Sequence, residues 1–226
     1  GDVIKQEFEQ HSGEPMQCYV FNLRRPQFAD RRVRQALSLA FDFESMNRTL
    51  FYGLYTRTDS FFEGGELASS GLPEGEELAL LEPLRSTVPD EVFSTPFVLP
   101  VYDKPDSERT YLRQAYGLLK DAGWVTKDGK LVNGKTGEPF RIEFLGSDPI
   151  DERVAGPYMA NLRKLGVDAT LRVVDAAQYE ARVESFDFDM LPIASFAQSL
   201  SPGNEQRDFF SSAAADTRGS RNLFGL

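Results

Sequence analysis

The sequence is short of the residues on which much familiar chemistry depends. It has one cysteine, Cys18, so no internal disulfide can form, and cysteine usage leaves the redox compartment open. One histidine is present, His11, and any histidine-based zinc site or Ser-His-Asp triad would have to be built around it. Positive charge is scarce: 25 Lys and Arg stand against 35 Asp and Glu, a net of −10. Broad binding to nucleic acid or to an anionic membrane needs the opposite sign, because both rest on basic side chains neutralising phosphates. No apolar run approaches the roughly 20 residues of a membrane span, and no basic-then-apolar signal stretch opens the chain. Packing material is plentiful: 226 residues, 41% hydrophobic and 12% aromatic, can fill a large core in one domain or two small ones. The chain begins with Gly1 and stops at Phe224-Gly225-Leu226, and is expected to be a fragment or a processed form.

The densest pattern runs from Phe28 to Gly53. Asp30 is a good N-cap, and Val33, Ala36, Leu37, Ala40 and Phe41 recur at the spacing of one helical face. Asp42 can cap a second helix carrying Phe43, Met46, Asn47 and Leu50, with Gly53 as its left-handed stop. Before this corner, Met16 to Asn22 reads as a strand ended by Arg24-Arg25-Pro26. After it, residues 56–105 are broken by glycine and proline into an irregular excursion, with a short helix expected from Gly75 to Leu84. Phe61, Phe62, Leu67, Leu72, Phe93 and Phe97 within it call for burial. A helix from Ser107 to Ala122, stopped by Gly123, precedes strands at 130–132 and 140–145. Helix (151–165, ended by Gly166), strand (169–174), helix (176–185, capped by Asp175) and strand (188–194) then follow. Pro157 should kink its helix or delay its start. This alternation predicts an α/β fold with a mixed or parallel sheet and right-handed crossovers.

Four groups of residues invite a chemical reading. Gly129 to Thr136, GKLVNGKT, matches the phosphate-loop pattern letter for letter, but such a loop needs a helix starting at its Lys-Thr, and Gly137 and Pro139 forbid one. A hairpin turning at Asn133-Gly134 fits better. Asp187 and Asp189, at i and i+2, share a strand face as a glycosidase pair might, yet read more simply as solvated edge acids. Arg24, Arg25, Arg31, Arg32 and Arg34 crowd the start of the corner helix, either paired with acids such as Asp30, Asp42 or Glu44, or with Arg24 or Arg25 turned to an acidic partner. Ser195 to Glu205, SFAQSLSPGNE, follows the last strand, where ligands of α/β sheets gather, and serves equally well as a ligand loop or a structural one. Asn47-Arg48-Thr49 matches a glycosylation acceptor but lies inside a predicted helix. A hydrolase or nucleotide-binding lobe using Gly129–Thr136 or Asp187/Asp189 is the enzymatic alternative.

Several segments in order, FNLRRPQFADRRVRQALSLAFDFESMN (21–47), LLKDAGW (118–124), LRKLGVDATLRVVDAAQYEARVESFDFDM (162–190) and PGNEQRDFFSSAAADTRGSRNLFG (202–225), give the chain a resemblance to a known family. It resembles the extracellular solute-binding proteins of ABC importers, oligopeptide/dipeptide class, family 5. The FN-x-RRP run, Gly64 to Pro73 and the SAAAD run look nearest to the Yej-type subfamily, associated with uptake of peptides and microcin C. The resemblance implies a type II-like periplasmic protein whose two lobes close on a ligand. Residues 1–226 would form the second lobe as a single domain, with flanking helices on a mixed sheet and 56–105 as an excursion within it. It further implies a periplasmic, non-catalytic protein without metal or cofactor, whose partners are a peptide-like ligand, an inner-membrane permease and the missing first lobe, with no nucleic acid. In peptide-binding members an aspartate beyond the last strand holds the ligand's ammonium group. The matching Phe196-Ala197-Gln198-Ser199 has no acid, so a blocked amine, or neutral hydrogen bonds from Gln198 and Ser199, is expected. Phe196 would stack on the ligand, and Asn22 and Arg24 would contact it at the cleft rim.

Overall fold

The computed structural model describes residues 3–6, 15–196 and 201–226. These fall into two compact units. The larger comprises Gln17–Arg57, Pro100–Ser195 and Gly203–Leu226; the smaller is built on Thr58–Leu99 with the described residues of Gly1–Met16 and Phe196–Pro202. Most of the glycine- and proline-rich stretch therefore lies in the smaller unit.

The larger unit opens with strand β1 (Met16–Phe21), a 3-10 turn at Pro26–Phe28 and the capped helical corner, α1 (Arg31–Leu39) and α2 (Phe43–Leu50). Asp30 accepts from the Arg32 amide and Asp42 from the Ser45 amide, satisfying donors that a helix start leaves open. Val33, Ala36, Leu37 and Ala40 are buried as their spacing predicts, and full burial of Leu37 contributes roughly 1.5–3 kcal/mol. In the smaller unit α3 (Gly75–Leu81) and α4 (Glu91–Ser94) are short, and a 3-10 turn at Glu82–Leu84 takes up Pro83. Helix α5 (Ser107–Asp121) returns the chain to the larger unit and packs on α1. Strands β2 (Trp124–Lys127) and β3 (Lys130–Asn133) form an antiparallel hairpin, followed by β4 (Arg141–Gly146), α6 (Pro149–Lys164), β5 (Asp168–Val173), α7 (Ala176–Glu184), β6 (Met190–Phe196), α8 (Glu205–Phe210) and α9 (Ser212–Ala215). The main sheet has the order β1-β6-β4-β5, with β4 parallel to β5 from Arg141↔Asp168 to Gly146↔Val173 and parallel to β6 at Phe144↔Met190. The α/β class read from the alternation of elements is the class observed.

Three local expectations need correction. The tight hairpin turn is Asp128-Gly129, with φ of 53° and 76°, rather than Asn133-Gly134. Neither Asn133 nor Gly134 has a positive φ, which the type I′ turn favoured by an Asn-Gly pair requires at both centres. Its amide donates to Gly123 O while Asn133 organises a wider reversal, its side chain accepting from the Lys135 and Thr136 amides. Helix α6 neither waits for Pro157 nor ends at it. An Asp148/Asp151 capping box starts it early, and Pro157 lies on the exposed side of the helix one turn after the exposed Arg153, whose carbonyl it deprives of a helical partner. In the smaller unit Leu67 and Phe97 are 56% and 71% exposed rather than buried. Phe97 lines a depression described below; nothing in the structure explains Leu67.

Candidate functional site

Strand β6 carries the chain to the predicted ligand loop. Its last residue, Phe196, is buried and packs on Phe61 of the smaller unit, ring centroids 6.3 Å apart. Gln198 and Ser199 lie outside the described residues.

Asn22 and Arg24, at the end of β1, belong to the larger unit and are committed to backbone groups there. The buried Asn22 amide donates to Phe186 O at 2.9 Å and to Phe188 O at 2.8 Å, while its oxygen accepts from Arg24 N and Nη1. The Arg24 guanidinium donates to Ala215 O, Asn222 O and Leu223 O and lies 3.6 Å over the Phe186 ring. Desolvation lowers its pKa, the Asp216 charge opposing. Phe186 has φ of 57°, unusual for a bulky side chain, because it occupies the left-handed position that ends α7: its amide donates to Val183 O and that of Asp187 to Arg182 O. Asn22 holds its carbonyl and Arg24 its ring.

The acids of the enzymatic alternative are engaged. Asp187 and Asp189 both pair with Arg25, at 2.9 and 3.1 Å, and Arg182 bridges Asp187 and Glu143 at 3.2 and 2.9 Å. Asp189 also accepts from the Glu143 amide, and burial raises its pKa. Arg32 pairs with Asp30 as expected for the arginine cluster, whereas Arg25 finds Asp187 and Asp189 rather than Asp42 or Glu44. Gly129–Thr136 runs from the hairpin turn through β3 into a loop, and no helix starts at Lys135-Thr136 to complete a phosphate site. The Cys18 thiol is pushed up to about 12 by burial, too high to supply a thiolate at neutral pH. Asn47 clamps Tyr55 through both its amide and its oxygen. Among the described residues no group of three or more His, Cys, Asp or Glu side chains converges for a metal, and no helix is long and apolar enough to cross a membrane.

A feature that periodicity could not signal lies in the smaller unit: an open surface depression of about 500 Å³ lined by Asp59, Glu63, Ala68, Ser69, Ser70, Gly71 and Phe97, most of them exposed. The buried Ser60 hydroxyl accepts from the amides of Phe62 and Ser69, at 3.3 and 3.0 Å, tying the two lining segments together.

This fold is that of a bacterial solute-binding protein. Residues 4–217 match the family described as bacterial extracellular solute-binding proteins, family 5 Middle, and the chain belongs to that family. It is 50% identical over 211 residues to the probable peptide-binding protein YejA of Agrobacterium fabrum, covering 93% of this chain and 34% of that protein. To the peptidoglycan-binding protein YepA of the same organism it is 38% identical over 227 residues, covering 100% of this chain and 37% of the other. The oligopeptide-binding protein AppA of Bacillus subtilis, solved with a nonapeptide, superposes with a TM-score of 0.67 at 20% identity, over 95% of this chain and 36% of that one. The chain thus spans about a third of the length of the curated relatives it matches.

Proposed function

We propose that this chain is one lobe of the solute-binding component of an ABC importer, which captures a peptide or peptide-like solute in the periplasm and hands it to a membrane permease. The observation that carries the proposal is family membership across residues 4–217, joined to 50% identity with a relative named as peptide-binding. Binding is passive. Ligand favours a closed arrangement of two lobes because both touch it only when closed, so differential contact supplies the driving force. In this reading Gln198 and Ser199 meet the ligand by neutral hydrogen bonds, while Phe196, expected from the sequence to stack on it, is buried against Phe61 and instead anchors the start of their loop. Asn22 and Arg24 act from behind, fixing the chain near β6, because their polar atoms are taken up by backbone. A lone lobe forfeits the other lobe's contacts, so the isolated chain is expected to bind peptides weakly while remaining folded.

Mass spectrometry of solutes released from the purified full-length protein tests the proposal. Copurifying peptides or peptide-containing envelope fragments are the expected result. Release of only sugars or free metal chelates, or turnover of any solute by the protein, would refute it.

A further inference from the structure

We infer that the outer edge of β1 takes a further strand, contributed by the part of the full-length protein that lies outside this chain. The main sheet, ordered β1-β6-β4-β5, has β1 and β5 as its two edges. β5 is built to face water: Asp168, Thr170, Arg172 and Val173 are exposed, and charge on an edge strand discourages further pairing. β1 has none of these protections. Met16 to Phe21 carries no charge and no proline, and its side chains pack on both faces of the strand. Val20 is fully buried on one face; on the other Tyr19 meets Phe41 and Tyr158, ring centroids 5.2 and 5.0 Å apart, and Phe21 meets Phe28 at 5.4 Å. Cover on both faces and an uncharged run are marks of a strand from the interior of a sheet.

The backbone shows which groups would receive it. Successive residues of an extended chain turn their N–H and C=O to opposite sides. Just past β1, the Asn22 amide donates inward to the carbonyl of Asp189, the residue before β6, at 3.0 Å, and the Leu23 amide donates the other way to Phe224 O at 2.8 Å. By the same alternation Cys18 and Val20 face β6, while Gln17, Tyr19 and Phe21 turn their N–H and C=O outward. Phe224 thus already uses this side for pairing, at one end. Among the described residues no backbone bond from beyond β6 reaches Gln17, Tyr19 or Phe21. Backbone groups set between packed aromatic side chains need partners, and a strand laid along the edge supplies them. The material for one exists: this chain spans 34–37% of the relatives' length, so most of each relative lies outside it. A strand tethered in the same polypeptide meets the edge at an effective concentration that a second copy or a free peptide does not reach.

The test is residue-resolved hydrogen exchange of the full-length protein, freed of solute by unfolding and refolding, together with a photo-crosslinker in place of Gln17, whose side chain is exposed. The amides of Gln17, Tyr19 and Phe21 should exchange at least about 100-fold more slowly than unstructured amides, as those of Cys18 and Val20 do. The crosslink should join β1, within a monomer, to a segment of the same polypeptide outside residues 1–226. Fast exchange at Gln17, Tyr19 and Phe21 would overturn the added strand, whatever Cys18 and Val20 do. Slow exchange with a crosslink to a second copy, or to another part of residues 1–226, would overturn its origin and with it the inference. Protection that arises only when a peptide is added would hand the edge to the ligand and overturn the inference as well. None of these outcomes alters the solutes released from the full-length protein, so the edge and the peptide reading stand or fall separately.

Discussion

Replacing Asn22 with alanine separates a fold-holding role from a ligand-touching one. The side chain is buried and makes four hydrogen bonds: to Phe186 O and Phe188 O from its amide, and from Arg24 N and Nη1 to its oxygen, at 2.9, 2.8, 3.2 and 3.1 Å. At a net of about 0.5–1.5 kcal/mol each the loss is about 2–6 kcal/mol. The lower half of that range is expected, because Phe188 O keeps a donor in Arg25 Nε at 3.0 Å. Against a total stability of about 5–15 kcal/mol such a loss is plain to see. Denaturant unfolding followed by fluorescence is the assay, since Trp124, the sole tryptophan, packs on Phe140 with centroids 4.3 Å apart and reports on the larger unit. Asn22→Asp should cost at least as much, because it sets a carboxylate against two carbonyl oxygens. A loss under about 0.5 kcal/mol for Asn22→Ala, together with weakened peptide capture by the full-length protein, would refute the reasoning and return Asn22 to the rim of a cleft.

The remaining predictions follow from particular contacts. Leu37→Ala should cost about 2–5 kcal/mol in the same unfolding assay, because Leu37 lies fully buried in the α1 core. Pro157→Ala should stabilise the larger unit by about 1–3 kcal/mol, since alanine restores the amide whose partner would be Arg153 O, and Pro157 lies on the exposed face of α6. Asp189 has a raised folded-state pKa, mainly from desolvation, so its protonated form is favoured by folding and its contribution is present at low pH and lost as pH rises through that folded value. The stability difference between wild type and Asp189→Asn should therefore move against the wild type as pH climbs out of the acidic range, as a series of melts from acid to neutral pH would record.

What the sequence made legible was whatever rests on local chemistry. Asp30, Asp42 and Asp175 cap helices where read, because an N-cap needs only a side-chain oxygen and two or three following amides. The apolar stripe of α1 was legible for the same reason. The hairpin turn was placed one step late because Asp128-Gly129 and Asn133-Gly134 carry equal turn chemistry, and the choice between them depends on Gly134 meeting the Gly123 carbonyl, a contact no local pattern announces. Arg25's acids were missed since Asp187 and Asp189 lie more than 160 residues away, joined to it only by the neighbouring places of β1 and β6 in the sheet. The depression escaped notice for a similar reason. Asp59, Glu63, Ser69, Ser70 and Phe97 have no common period, and only the folded smaller unit brings them together.

The two segments that carried much of the family likeness, FN-x-RRP near the start and SAAAD to RNLFG near the end, meet in the fold. Arg24 donates to Ala215 O and Asn222 O, the Leu23 amide donates to Phe224 O at 2.8 Å, and the Asn222 side chain is buried while bonding Ser211 O, Leu226 O and the amides of Gly225 and Leu226. Their pairing is a lock on the last turns of the chain, so these residues identify a fold rather than a ligand. The lock depends on the planar guanidinium fork, which reaches three carbonyls and lies flat over Phe186 at once. Arg24→Lys keeps the charge but can serve fewer of those carbonyls, and should cost about 2–4 kcal/mol by the loss of one or two charge-assisted hydrogen bonds. Hydrogen exchange should register the same change as faster opening of amides from 211 to 226, with α1 and α5 unaffected. Exchange in that segment at the wild-type rate would show that Arg24 holds nothing there, and the search for ligand contacts would then reopen at the end of β1.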